Sequence, residues 1–167
     1  MSTETPPQPS SRTSWADFHA AEPDFADTVR ARFQQHLHHV LATLRKDGSP
    51  RVSGLEVTFR DGELYLGMMH DSWKAKDLLR DPRFALHANP GSGDEASSLG
   101  DVRVSGRAAL VTDPAELARF VGAVHPPEPF HLFRADLADA VRTSVEGAEL
   151  VVQTWHPGTP LRTIRRA

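Results

Sequence analysis

From His38 onward, apolar and polar positions alternate with a two-residue period along most of the chain, as expected of strands whose side chains point to opposite faces in turn. The runs HHVLATLR, RVSGLEVTFR and ELYLGMM predict three strands. They are separated by Asp47-Gly48 and Asp61-Gly62, whose residues tolerate the positive φ that tight antiparallel connections need. This arrangement predicts an antiparallel meander. RFALHAN predicts a fourth strand and DVRVSGRAALV a fifth, with Val102, Val104, Gly106, Ala108 and Leu110 sharing a face. Phe130 to Thr154 reads as two further strands hinged at Glu146-Gly147, the second being AELVVQTW, although Ala138 to Val141 reads equally well as a helical turn.

Three segments follow a helical period instead. Phe25, Val29 and Phe33 recur every four residues, predicting a helix from Pro23 to about Gln35 capped by Asp24. Ser72 to Arg80 carries Ala75, Leu78 and Leu79 on one face and is stopped by Asp81-Pro82. Asp113-Pro114-Ala115-Glu116 combines a cap, a first-turn proline and a carboxylate spaced to reach back to the cap. Leu117, Phe120, Val121 and Val124 mark the buried stripe that follows. The sum is a mainly β protein of six to seven antiparallel strands with a few peripheral helices. Closure into a barrel, rather than an open sheet, protects the edges. Residues 1–13 are polar and rich in Pro, Ser and Thr, predicting a disordered tail ahead of a single domain over 14–167.

Length and composition agree with one core: 167 residues, 39% hydrophobic and 25% charged. A formal charge of -3 argues against a nucleic-acid partner. The absence of cysteine removes disulfides, thiolate metal sites and cysteine nucleophiles. No apolar run approaches the roughly 20 residues of a membrane span, and residues 1–14 lack the apolar centre of a secretory signal. The expectation is a cytoplasmic protein without a membrane partner.

Candidate chemistry gathers in two places. Arg51 and Ser53 share a strand face about 7 Å apart, a spacing at which both could grip one phosphate. The helix starting near Ser72 brings free amides, a hydroxyl, Trp73 and Lys74 together, the ingredients of an anion site. Lysine is scarce, with three (46, 74 and 76) against 16 arginines. Strand alternation sends one of Met68 and Met69 to the core. Among nine histidines, His36, His38 and His39 have a spacing that could place two imidazoles together, but no third ligand is near, so no metal is expected. His70 and His87 read as cleft residues or as structural histidines. The Pro90–Gly100 loop reads as a connection or a lid, and Arg162, Arg165 and Arg166 as a basic edge. No phosphate-loop, dinucleotide or catalytic-triad signature is present.

HHVLATLRKDGSPRVSGLEVTF, ELYLGMM, SWKAKDLLRDPRFALHANP and VRVSGRAALV, in this order, resemble the pyridoxamine 5'-phosphate oxidase-like, or flavin and deazaflavin oxidoreductase, superfamily over roughly residues 25–111. The most specific element is Lys74, seven residues before Asp81-Pro82-Arg83. The resemblance implies a split β-barrel homodimer that holds FMN, or in some branches F420 or haem, in clefts between subunits. Carried over by position, Arg51, Val52 and Ser53 would line the cofactor, Met68 and Met69 would lie along its ring, and Lys74, beside Ser72 and Trp73, would neutralise its phosphate. Two departures stand out. Trp73 replaces the arginine that many relatives place beside that lysine, and Asp101 stands where flavin-oxidising enzymes present a glutamine, which points away from pyridoxamine phosphate oxidation itself. The implied function is an FMN-dependent oxidoreductase acting on a small organic substrate. An F420-dependent reductase and a non-catalytic flavin or haem carrier are the alternatives.

Overall fold

The computed structural model describes residues 11–92 and 99–167. Its elements run α1 (Trp15–Ala21), α2 (Pro23–Gln34), β1 (His39–Leu44), β2 (Pro50–Leu55), β3 (Val57–Arg60), β4 (Glu63–Met69), α3 (Trp73–Arg80), β5 (Arg83–His87), β6 (Asp101–Leu110), α4 (Pro114–Val124), β7 (Phe130–Glu146), β8 (Glu149–Trp155) and β9 (Arg162–Arg166). Every strand pairing is antiparallel.

The strand order along the main path is β2-β1-β5-β6-β7-β4-β3, with β8 and β9 extending from β7. The expected meander is therefore replaced by two separate hairpins, β1/β2 and β3/β4, at opposite ends of the path. Only Glu56 separates β2 from β3 in the chain. The sheet thus curls until its two ends meet without a ladder between them, which is a split barrel. The described residues form nine strands where six to seven were expected, because RVSGLEVTFR breaks at Glu56 and the arginine-rich end forms β9.

Phe130–Glu146 is one continuous strand, so Ala138–Val141 is not helical. A bulge interrupts its pairing with β6: Ser105 faces Asp139 and Gly106 faces Leu137, leaving Ala138 unpaired. Core side chains from several strands, among them Leu41, Leu66, Val104 and Phe133, are at most 1% exposed. Tyr65, Phe120, Val111 and Leu132 form a smaller cluster on which α4 rests.

Helix α1 was not anticipated. It is short, but Ser14 and Asp17 cap each other, with Asp17 N–H donating to Ser14 Oγ at 3.1 Å and Ser14 N–H to Asp17 Oδ2 at 2.8 Å. Its Phe18 stacks on Trp155 with centroids 4.2 Å apart. The chain is tied down from Arg12, ahead of the expected end of the tail at residue 13. Arg12 pairs with Glu63, and Thr13 N–H donates to Asp136 Oδ1 at 2.8 Å. The rest of the predicted tail, residues 1–10, lies outside the described residues.

Three local expectations are corrected. Asp24 does not cap α2: the chain enters directly from α1 through Glu22, with Pro23 at the first position. Glu116 does not reach back to Asp113. Asp113 does accept the Glu116 N–H at 3.1 Å, but the Glu116 carboxylate turns inward to accept the Tyr65 hydroxyl at 2.8 Å. The buried face of α3 is Ala75, Asp77 and Leu78, while Leu79 is 48% exposed. Leu110 and Val124 are likewise outside the core, whereas Val111, next to Leu110, is buried. No helix among the described residues is long and apolar enough to cross a membrane.

Candidate functional site

A cleft of about 510 Å³ opens where the two ends of the barrel sheet meet. The β2–β3 junction supplies Gly54 and Glu56, the end of β4 supplies Met68 and Met69, the first turn of α3 supplies Lys74, and the end of α4 supplies Phe120 and His125. Helix α3 follows β4 through the short turn at His70–Asp71 and is capped by Ser72, whose hydroxyl accepts the Ala75 N–H at 3.4 Å. This placement swings Lys74 across to β2, where its Nζ donates to Gly54 O at 2.6 Å. Lys74 has no carboxylate partner among the described residues, and burial pushes its pKa down. In the same cleft His38 Nε2 lies 3.2 Å from Glu56 Oε1.

Strand alternation separates the two methionines: Met68 is 6% exposed and shares the main core, while Met69 is 79% exposed on the cleft rim. Both line the cleft with Lys74.

The other expected residues lie elsewhere. Arg51 and Ser53 do share a face, but they do not act on one point. The Arg51 Nε donates to Asp77 Oδ2 at 2.7 Å, an ion pair whose carboxylate is 2% exposed. Asp77 also accepts from Thr43 Oγ1 at 2.8 Å and from Arg80 at 3.0 Å. Ser53 Oγ is buried without a hydrogen-bond partner among the described residues. Trp73 is exposed between two cations, with Arg51 5.6 Å and Lys76 5.1 Å from its ring. Arg51 and Trp73 belong to a neighbouring groove of about 650 Å³, which Arg45, Lys46 and Arg80 also line. Val52 is 69% exposed, and neither it nor Ser53 lines either cavity.

Asp77 is the organising residue that sequence reasoning missed. A carboxylate adjoining the apolar Leu78 on an amphipathic helix was the available signal. Glu56 and His125 were missed as well, and His38 was read only as a possible metal ligand; the β1/β2 hairpin sets His38 beside Glu56, and α4 brings His125 to the same cleft. His36, His38 and His39 do not converge: His38 turns to Glu56, and His39 Nδ1 accepts the Asn89 N–H at 3.1 Å. His87 bonds its own neighbour's carbonyl, and Asp101 is exposed at the start of β6; neither lines the cleft. Of the terminal arginines, Arg165 pairs with Glu146 and Glu149. The centre of the Pro90–Gly100 loop, residues 93–98, lies outside the described residues.

Comparison with known proteins places this geometry. The chain resembles the crystal structure of a pyridoxamine 5'-phosphate oxidase-related, FMN-binding protein from Nostoc punctiforme at 13% identity and a TM-score of 0.60, over 87% of this chain and 96% of that one. It resembles ChuZ from Campylobacter jejuni at 13% identity and a TM-score of 0.60, over 81% and 61% of the two chains. A haem-binding protein from Mycobacterium smegmatis matches at 16% identity and a TM-score of 0.52, over 92% and 59%. No curated protein matches the sequence. At such identities the structural likenesses carry the fold. The sequence pattern of the pyridoxamine 5'-phosphate oxidase family, however, matches residues 25–143, well over half of the chain, and the protein belongs to that family.

Proposed function

We propose that the cleft beside Lys74 holds FMN and that the protein is a homodimeric FMN-dependent oxidoreductase acting on a small organic substrate. The observation that carries this reading is the state of Lys74. A partly desolvated ammonium, bonded to a carbonyl oxygen and to no carboxylate, leaves a positive charge available for a phosphate. Trp73 lines the neighbouring groove and offers one indole N–H where a guanidinium would offer a fork, and Arg51 is engaged by Asp77, so the grip on the anion falls mainly to Lys74.

When bound, the flavin would supply the redox chemistry, accepting and returning a hydride equivalent. The chain's own part is binding and exclusion. Lys74 would neutralise the phosphate, and Met68 and Met69 would pack against the ring and keep water from it. The Nostoc punctiforme relative, an FMN-binding protein of the same fold, is in keeping with FMN, as the Mycobacterium smegmatis haem-binding protein is with the haem alternative.

Lys74→Ala is expected to weaken FMN binding 10- to 100-fold, read from quenching of flavin fluorescence, since a hydrogen bond to a charged group contributes about 1.5–3 kcal/mol. Unchanged affinity would remove Lys74 from the site. Preferential binding of haem or F420 in parallel titrations would overturn the flavin assignment. Saturated flavin that no tested donor reduces would favour a carrier. Exposed Val52, Met69 and Trp73 support a subunit contact on this side of the barrel. Light scattering should give twice the 18.4 kDa chain mass, and a monomer would exclude the shared cleft.

A further inference from the structure

We propose that His70, Asp71 and His131 form a site for one divalent transition-metal ion of the zinc class. Their ligand atoms lie within 4.8 Å of one another. The cluster joins two segments far apart in sequence, the turn after β4 and the start of β7. Pairing of Met69 with Phe130 and of Met68 with His131 holds these segments in register.

The hydrogen bonding within the cluster does not account for this convergence. Asp71 N–H reaches His131 Nδ1 at 3.4 Å, and His70 Nδ1 stands 3.5 Å from Asp71 Oδ2, both at or beyond the long end of the range. Two imidazoles are nevertheless held face to face, 4.5 Å apart and 7° from parallel. Two imidazoles and one carboxylate are a ligand set that zinc and its neighbours prefer over magnesium or calcium. Three protein donors leave further coordination positions open, and the exposure of His70 and Asp71, 47% and 64% by side chain, leaves room for water there.

The geometry also fixes what must move. Donors bound to zinc at 2.0–2.1 Å lie about 3.3 Å apart, and the lone pairs of parallel rings do not meet at one point. The exposed His70 ring must therefore turn out of the stack, while His131, held in the β7 ladder, stays. The site is distinct from the anion cleft but adjoins it, since His70 follows Met69 and His131 follows Phe130, both of which line that cleft.

Calorimetric titration of the full chain, free of any affinity tag, with Zn²⁺ should show one equivalent bound. Co²⁺ should give d–d absorption at wavelengths beyond those of any flavin, lost on adding Zn²⁺. His70→Ala, Asp71→Asn and His131→Gln should each weaken Zn²⁺ binding at least tenfold. Circular dichroism should remain that of the parent, and the exposed His70→Ala alone decides the matter if His131→Gln does not fold. Failure to bind either ion, or binding undiminished in His70→Ala, would overturn the site. FMN affinity is a separate readout, so the metal and flavin assignments stand or fall independently.

Discussion

Asp77→Ala is expected to destabilise the protein by about 3–5 kcal/mol, the usual consequence of removing one partner from a buried ion pair. The Asp77 carboxylate is 2% exposed and accepts from Arg51, Thr43 and Arg80 at 2.7, 2.8 and 3.0 Å. Its loss strands the Arg51 guanidinium, only 22% exposed, and removes one tie from α3 to each of β1 and β2. Urea denaturation monitored by tryptophan fluorescence measures the change; a loss below about 1 kcal/mol would mean that solvent takes over the three donors. The effect is also pH-dependent. Burial by itself would raise the Asp77 pKa, but hydrogen bonds from Arg51, Thr43 and Arg80 outweigh it and hold the group below its ordinary value. A depressed folded-state pKa gives stability that is complete above the unfolded value of about 3.9 and lost as pH falls through the folded value. The gap between parent and variant should thus be full near neutrality and narrow in acid.

Gly106→Ala should cost at least about 3 kcal/mol or prevent folding, for a different reason. A Cβ at Gly106 would stand 1.9 Å from the Asp136 carbonyl oxygen and 2.9 Å from its carbon. Both atoms belong to the β7 backbone beside the bulge, so no side chain can rotate away to make room. The two longest strands of the barrel would have to separate there. Chemical denaturation of the variant, or its recovery only in insoluble form, tests this. A variant as stable as the parent would show that the bulge can relax.

The outline of this fold was legible because alternation is a local signal. The strands at His39–Leu44, Glu63–Met69 and Asp101–Leu110 stand where their two-residue period placed them. What was not legible depends on distant partners. No neighbouring residue announces that β2 and β3 part company at Glu56, since only the curling of the whole sheet makes them its opposite ends. Glu116 has the spacing of a capping carboxylate, yet Tyr65, about fifty residues earlier, draws it inward. The same holds at the site. The family resemblance singled out Lys74, Met68 and Met69, which share one cleft. Arg51 carried no sign that Asp77 would engage it, and His70 no sign that His131 would lie against it.

Strand β9 has a consequence for the protein at high concentration. Among the described residues it pairs only with β8, so its other side offers unpaired amides and carbonyls to any passing strand. The sequence there is RTIRR, and four of its five side chains are exposed. A second copy aligning against this margin would bring arginine against arginine, and the repulsion discourages the runaway strand addition that ends in fibrils.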